Sequence, residues 1–262
     1  MNFKGVNWTS LESQIYEYGK KPPFDYVVID NFFTEKFAKK LSSEFLAYED
    51  ETWRGYDNPI EVKKICNNWD LFPTNTYSTF TYFNSEEWLS YLSSKLVDGK
   101  KLYADNGLNG GGWHVHKQGG KLNTHLDYSL HPKLGLQRKL NLIVYLNPNW
   151  KKEWGGALGL WDNQSAEKPG DLVASIWSKF NRAVIFDTTQ NSWHGLPEPV
   201  VCPANETRQS LAAYFLCDPP EGVDARGKAL FSPTKKQEND SEILELIKQR
   251  SSVESAASVY EK

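Results

Sequence analysis

Two imidazoles and a carboxylate, spaced so that they could converge, carry the chemistry in this chain. His125-Leu126-Asp127 reads as extended backbone, and residues two apart on a strand point to the same side, so His125 and Asp127 face one point. His194 follows well downstream, and Arg208-Gln209-Ser210 comes after it. Two histidines and one carboxylate, with the remaining coordination positions open, form the ligand set of a non-haem ferrous centre. Arg208 then has a matching role as a fixed cation for a carboxylate-bearing co-substrate beside the metal.

The same strand-face reasoning extends the set. Leu211, Ala213 and Phe215 give one face an apolar run, so Arg208, Ser210 and Ala212 share the other. A guanidinium beside a hydroxyl suits a single carboxylate. The bland alternative for Arg208 is a surface ion pair, which fits poorly with that apolar run. Tyr145 shares a face with Asn141 and Ile143, where its phenol either donates to the same carboxylate or packs as an ordinary tyrosine. A rival metal pair, His114-Val-His116, also places two imidazoles on one face, as in a cupin. A cupin needs a glutamate a few residues later, and Lys117-Gln-Gly-Gly120 stands there instead. His116 is therefore expected beside the co-substrate and His114 in a structural role, while His131, before Pro132 in a loop, serves substrate or nothing.

Other chemistries find little support. The glycines at 110–112, 119–120 and 155–156 precede no helix carrying Lys-Ser/Thr, so they fit turns or close backbone approach better than a phosphate loop. Gly-x-Ser-x-Gly is absent. Cys66, Cys202 and Cys217 are too few and too scattered for a disulfide framework or a zinc knuckle. A net charge of −3 without a Lys/Arg stripe argues against nucleic acid as partner. The first twenty residues lack the apolar core of a signal peptide, and no stretch approaches a membrane span. A cytoplasmic, reducing setting is expected, which would keep iron ferrous.

The elements that must position these residues are short strands. The 262 residues suit one elaborated domain, and 39% hydrophobic content supplies a substantial core. Residues 113–118, 140–146, 157–161, 182–186 and 208–216 read as strands separated by Gly and Pro, the pattern of an antiparallel sandwich or jelly roll. Ahead of them, residues 1–22 read as a loose lead-in and 26–30 as a short buried strand. Thr34 is expected to cap a helix reaching Tyr48, residues 49–80 to be irregular, and Asn84 with Glu87 to form a capping box for a second helix. The expected organisation is a support region over 1–102 integral to the domain, a core over 103–216, and a C-terminal extension over 217–262. In that extension Ser241 to Arg250 is helical and the last dozen residues are mobile.

At this level the chain resembles the 2-oxoglutarate/Fe(II) oxygenases of the prolyl 4-hydroxylase group, in the branch of EGL-nine-like and Tpa1-like proline hydroxylases. The likeness rests on His125-Leu-Asp127, the run Arg138 to Asn147, Trp154-Gly-Gly-Ala-Leu158, Asn181 to Phe186, His194-Gly195 and Arg208-Gln-Ser210. It implies a mainly β fold with buttressing helices around a double-stranded β-helix. In that fold His125, Asp127 and His194 bind iron, Arg208 pairs with the distal carboxylate of 2-oxoglutarate, and Tyr145 adds a hydrogen bond. Position 116, often tyrosine in relatives, is histidine here. Retention of Asp127 favours hydroxylation over halogenation.

The implied reaction takes Fe(II), 2-oxoglutarate and dioxygen, with ascorbate as an accessory reductant, and releases succinate and carbon dioxide. A prolyl residue of a protein or peptide is the expected substrate. The alternatives are a small molecule such as an amino acid or sugar, and a non-catalytic jelly roll that only binds.

Overall fold

The structure, a computed structural model, describes residues 3–252. The strands are β1 (Tyr26–Ile29), β2 (Arg54–Asn58), β3 (Glu61–Cys66), β4 (Tyr103–Ala104), β5 (Gly112–His116), β6 (Lys121–Leu122) and β7 (His125–Leu126), then β8 (Gln137–Tyr145), β9 (Leu158–Ser165), β10 (Lys168–Ile176), β11 (Ala183–Asp187), β12 (His194–Gly195), β13 (Arg208–Cys217) and β14 (Leu230–Phe231). The helices are α1 (Trp8–Gln14), α2 (Glu35–Ser43), α3 (Thr74–Phe83), α4 (Glu86–Leu96) and α5 (Ser241–Ser251). Among the described residues a nine-stranded sheet runs β1-β11-β8-β13-β5-β3-β2, with β4 and β6 attached, and a five-stranded sheet runs β10-β9-β12-β7-β14. All named strand pairs are antiparallel, as in a double-stranded β-helix.

Period-two alternation divides the labour of the large sheet. Leu140, Leu142 and Val144 of β8, Leu211, Ala213 and Phe215 of β13, and Trp113 and Val115 of β5 join the core that also holds Leu41, Phe80, Phe83, Trp88 and Leu92 from the helices. The intervening residues face the small sheet. On this second face Tyr145, Val184 and Phe186 pack with Leu158 and Leu160. Beside them, Asn141, Ser210, Ala212 and Tyr214 line a cavity.

Several local expectations are corrected. Residues 1–22 are not a loose lead-in: Asn7 accepts the Ser10 N–H at 3.2 Å to cap α1, and Leu11 and Ile15 are buried. Residues 49–80 are not irregular, for they contain β2, β3 and most of α3. The β2–β3 hairpin was masked by its charged residues, although Asn58 Oδ1 marks its turn by accepting the N–H groups of Ile60 and Glu61, both at 3.0 Å. Helix α3 is rich in Thr and aromatics, poor helix formers. Its N-terminus is capped from outside by Glu44, which accepts the Asn75 and Thr76 N–H groups at 3.0 and 2.7 Å. Helix α2 stops at Ser43 rather than Tyr48.

The cap of α4 is Ser85, whose side chain accepts the Trp88 N–H at 3.3 Å, while Asn84 closes α3. Strand β10 was not anticipated; its exposed, polar outer part gives no apolar signal. Helix α5 lies where expected, with Asp240 as its cap. The expected mobile tail falls largely outside the described residues.

Asn181 ties the N-terminal segment to the large sheet. It adopts a left-handed φ of 60°, and its buried amide accepts from Phe33 N at 2.9 Å and donates to Phe33 O at 2.8 Å. Asn181→Ala would orphan both backbone groups and leave a β-carbon in a disfavoured conformation. A loss of about 2–4 kcal/mol is expected in urea denaturation, and a loss under about 1 kcal/mol would show that the clamp is redundant.

Candidate active site

The site forms where the mouths of the two sheets meet. His125 on β7 and His194 on β12 are direct cross-strand partners, which sets their ring centroids 4.3 Å apart. Asp127 lies two residues beyond His125, with Leu126 pointing away between them. Its carboxylate oxygens stand 3.9 Å from each histidine Nε2, and the ligand atoms of all three residues lie within 4.8 Å of one another. Each imidazole is oriented from behind: His125 Nδ1 lies 3.0 Å from Asn123 O and His194 Nδ1 2.8 Å from Ser192 O. Donation from Nδ1 to those carbonyls leaves the Nε2 lone pairs directed at the common point. Phe231 stacks on His125 at 5.1 Å, and Phe186 lies 4.8 Å from His194, so neither ring can swing.

Electrostatics favour a cation at this point. Burial holds both imidazoles below the ordinary histidine range, with His194 adding to the effect on His125 and Asp127 opposing it in each. They are neutral, the form that ligates metals. For Asp127 burial works against ionisation, but Arg138, with His194 and His125, outweighs it and the carboxyl titrates below its usual range. A neutral pair of donors and a buried anion could hold a divalent metal.

Arg138 is the site residue that strand alternation missed. Its NH1 lies 3.1 Å from Asp127 Oδ1, its NH2 donates to Asn109 O at 2.6 Å, and its guanidinium carbon sits 3.4 Å from the ring centroids of both Tyr128 and Tyr214. By simple alternation Arg138 belongs with Leu140 on the helix-facing side. A bulge intervenes: Phe215 pairs with Leu140 but Leu216 with Arg138, so β8 carries one extra residue and Arg138 turns to the cavity.

The other predicted residues converge from the large sheet. Arg208 pairs across strands with His116, and Ser210 pairs with Tyr145 on one side and His114 on the other. Arg208 Nε donates to Gly156 O at 2.6 Å, and its guanidinium carbon is 4.9 Å from the Tyr145 ring centroid. Gly156 has a φ of 69°, and a β-carbon there would come within 2.6 Å of Arg208 Cδ, so glycine is what lets the loop close on the arginine. Arg208 is 4% exposed and has no carboxylate against it among the described residues. Among the described residues, the Tyr145 hydroxyl and both ring nitrogens of His116 are buried without hydrogen-bond partners.

His114 lines the cavity with Nε2 3.1 Å from Gly110 O. His131 turns inward to its own loop, where Nδ1 accepts from Lys133 N and Leu134 N at 3.2 and 3.1 Å.

A buried cluster of two imidazoles and a carboxylate that could hold a metal thus lies in one cavity with the buried Arg208 guanidinium. Residues 111–216 match the model of the 2OG-Fe(II) oxygenase superfamily. The prolyl 3-hydroxylase OGFOD1 of Xenopus laevis is 33% identical over 91 residues, which cover 33% of this chain and 17% of that relative. The chain thus matches less than a fifth of that curated relative's length. Among solved structures, a Trichoplax adhaerens prolyl hydroxylase in complex with a hypoxia inducible factor peptide fragment superposes with a TM-score of 0.53 at 16% identity, covering 80% of this chain and 88% of that one. A Phytophthora capsici prolyl 4-hydroxylase gives 0.55 at 20% identity, covering 96% and 78%. At that identity these structures establish the shared fold.

Arg138→Met would leave Asp127 buried without its cation. Affinity for Mn(II), an oxygen-insensitive stand-in for Fe(II), is expected to fall about 10–100-fold by calorimetry. Parent-like Mn(II) binding would separate Arg138 from the metal centre.

Proposed function

We propose that the protein is an Fe(II)- and 2-oxoglutarate-dependent dioxygenase that hydroxylates an unactivated C–H bond, most specifically of a prolyl residue in a protein or peptide. The observation that carries this reading is Arg208, a buried guanidinium with no carboxylate partner among the described residues, beside the Tyr145 phenol, which has no hydrogen-bond partner among them. An unmatched buried charge costs several kcal/mol by order of magnitude unless a ligand neutralises it. A carboxylate entering from the metal side would satisfy both groups.

In this reading His125, Asp127 and His194 would hold Fe(II). Arg208 clamps the distal carboxylate of 2-oxoglutarate, Tyr145 and Ser210 donate to it, and His116 supplies a further polar contact. When bound, the iron and 2-oxoglutarate together use dioxygen to oxidise the substrate, with release of succinate and carbon dioxide. The chain's own task is orientation and exclusion of water. Phe231 and Phe186 brace the histidines, Arg138 keeps Asp127 ionised, and the apolar wall of Leu158 and Ile143 limits solvent in the cavity. Ascorbate serves as accessory reductant. A prolyl substrate is supported by the 3-hydroxylase similarity and by the peptide-bound fold relative.

A reducing cytoplasmic setting is supported by three free cysteines, and among the described residues no helix is long and apolar enough to cross a membrane.

Arg208→Ala is expected to weaken 2-oxoglutarate binding by about 100-fold, the order of a lost charge-assisted pair, while Mn(II) affinity stays within about twofold. Anaerobic titration followed by the visible absorption of the Fe(II)·2-oxoglutarate complex reads both steps. Equal loss of metal and co-substrate would contradict the division of roles. Failure of the parent protein to form succinate with any prolyl peptide would remove the prolyl assignment.

A further inference from the structure

Behind the two ligand histidines stands a buried amide, Asn123, that none of the roles above accounts for. It precedes His125 by two residues and is 6% exposed. Its carbonyl is the group that orients His125, 3.0 Å from Nδ1. The same carbonyl also lies against Gly195, the neighbour of His194, where an added β-carbon would come within 2.8 Å of it. One backbone oxygen therefore abuts both ligand strands.

The other groups of Asn123 lead away from the cluster, to two segments outside the matched residues 111–216. Its N–H donates to Ile60 O at 2.8 Å, in the turn of the β2–β3 hairpin. Its Nδ2 donates to Ser232 O at 3.1 Å and to Gln237 Oε1 at 2.7 Å, both in the C-terminal segment. Thr234 N also donates to that Oε1, at 2.9 Å, which fixes the orientation of the Gln237 amide. Gln237 Nε2 then closes the triangle by donating to Pro59 O at 2.8 Å. Other contacts follow the same seam. Ile60, Phe231 and Ile247 form a small apolar core, Arg250 pairs with the buried Glu61 at 3.0 Å, and Phe231 stacks on His125, its cross-strand partner. Within α5 only Ile247 is buried, the pattern of an element that opens locally before the domain unfolds.

We propose that Asn123 is a positioning residue of the metal centre, and that it couples metal binding to docking of the C-terminal segment 230–251. Its backbone fixes the His125 imidazole while its side chain fixes the segment, so each holds the other in place. This role rests on the reading of His125, Asp127 and His194 as the metal site of the proposed hydroxylase. Coupling between two sites is reciprocal: whatever docking adds to metal affinity, metal adds to docking. Opening the segment therefore weakens the site with its three ligands unchanged.

The test follows amide hydrogen exchange of the full chain with and without saturating Mn(II). Exchange over 241–251 is expected to slow about five- to tenfold when Mn(II) binds. Helix α4, packed on the opposite face of the large sheet, should change less than about twofold. Asn123→Ala keeps the carbonyl that orients His125 and removes both side-chain bonds to the segment. It should abolish the protection of α5 and weaken Mn(II) binding about five- to tenfold by calorimetry. Affinity for 2-oxoglutarate at saturating Mn(II) should stay within about twofold of the parent. Gln237→Ala cuts the same link from its half-exposed side and should reproduce both effects, so it decides the matter if Asn123→Ala fails to fold. A merely structural role would lower the melting temperature of both variants and leave Mn(II) affinity and the metal-dependent protection as in the parent.

Unchanged exchange over 241–251 on Mn(II) binding, or parent-like Mn(II) affinity in the variants, would overturn the coupling and leave the hydroxylase reading intact. Equal loss of 2-oxoglutarate affinity would mark general damage to the cavity and overturn the role of Asn123. A parent protein that binds no Mn(II) would overturn both. Metal-dependent protection of α5 in a protein that never binds 2-oxoglutarate would sustain the coupling and defeat the hydroxylase reading.

Discussion

The buried carboxylate of Asp127 is the constraint around which the site is arranged. A charge removed from water must be matched locally, and Arg138 is the match, held flat between Tyr128 and Tyr214. That sandwich fixes the guanidinium plane, and the guanidinium in turn limits where the Asp127 oxygens can lie. The histidines approach from β7 and β12, braced by carbonyls two residues before each. A metal ligand set assembled this way has little freedom to rearrange, which suits a proposed centre that must leave positions open for co-substrate and dioxygen.

The large sheet makes this possible by keeping its two faces chemically distinct. One face is sealed by aromatic and aliphatic side chains from α1 to α4, so burial there stabilises the frame without involving the cavity. The other face is free to carry a buried arginine, a phenol and imidazoles that would be costly in a conventional core. Strand pairing holds Arg208, His116 and Tyr145 together in one buried, polar region, which suits the charged, oxygen-rich ligand proposed for it.

Segments outside residues 111–216 also line the cavity. The β2–β3 hairpin extends the large sheet, and β14, with α5 packed on it, pairs with the His125 strand of the small one. Here they bring cations.

Much of the centre was legible in the chain itself. His125, Asp127, His194, Arg208, Ser210 and Tyr145 could be grouped from spacing and strand faces because alternation is a local rule that survives folding. The strands of the core were legible for the same reason, and the helix over 241–250 was marked by its own cap. The hairpin over 54–66 and helix α3 were not, since one hides in polar residues and the other takes its cap from Glu44. Arg138 escaped because a bulge reverses alternation between 138 and 140, and a bulge depends on the partner strand. The cations of the cavity lining escaped because Arg54 and Lys63 are remote in sequence from Lys228 and Arg250. The sequence by itself determined which groups could ligate and which strand faces they occupy. Only the tertiary structure decided what counter-charge each buried ion meets, because that depends on which distant segments fold against one another.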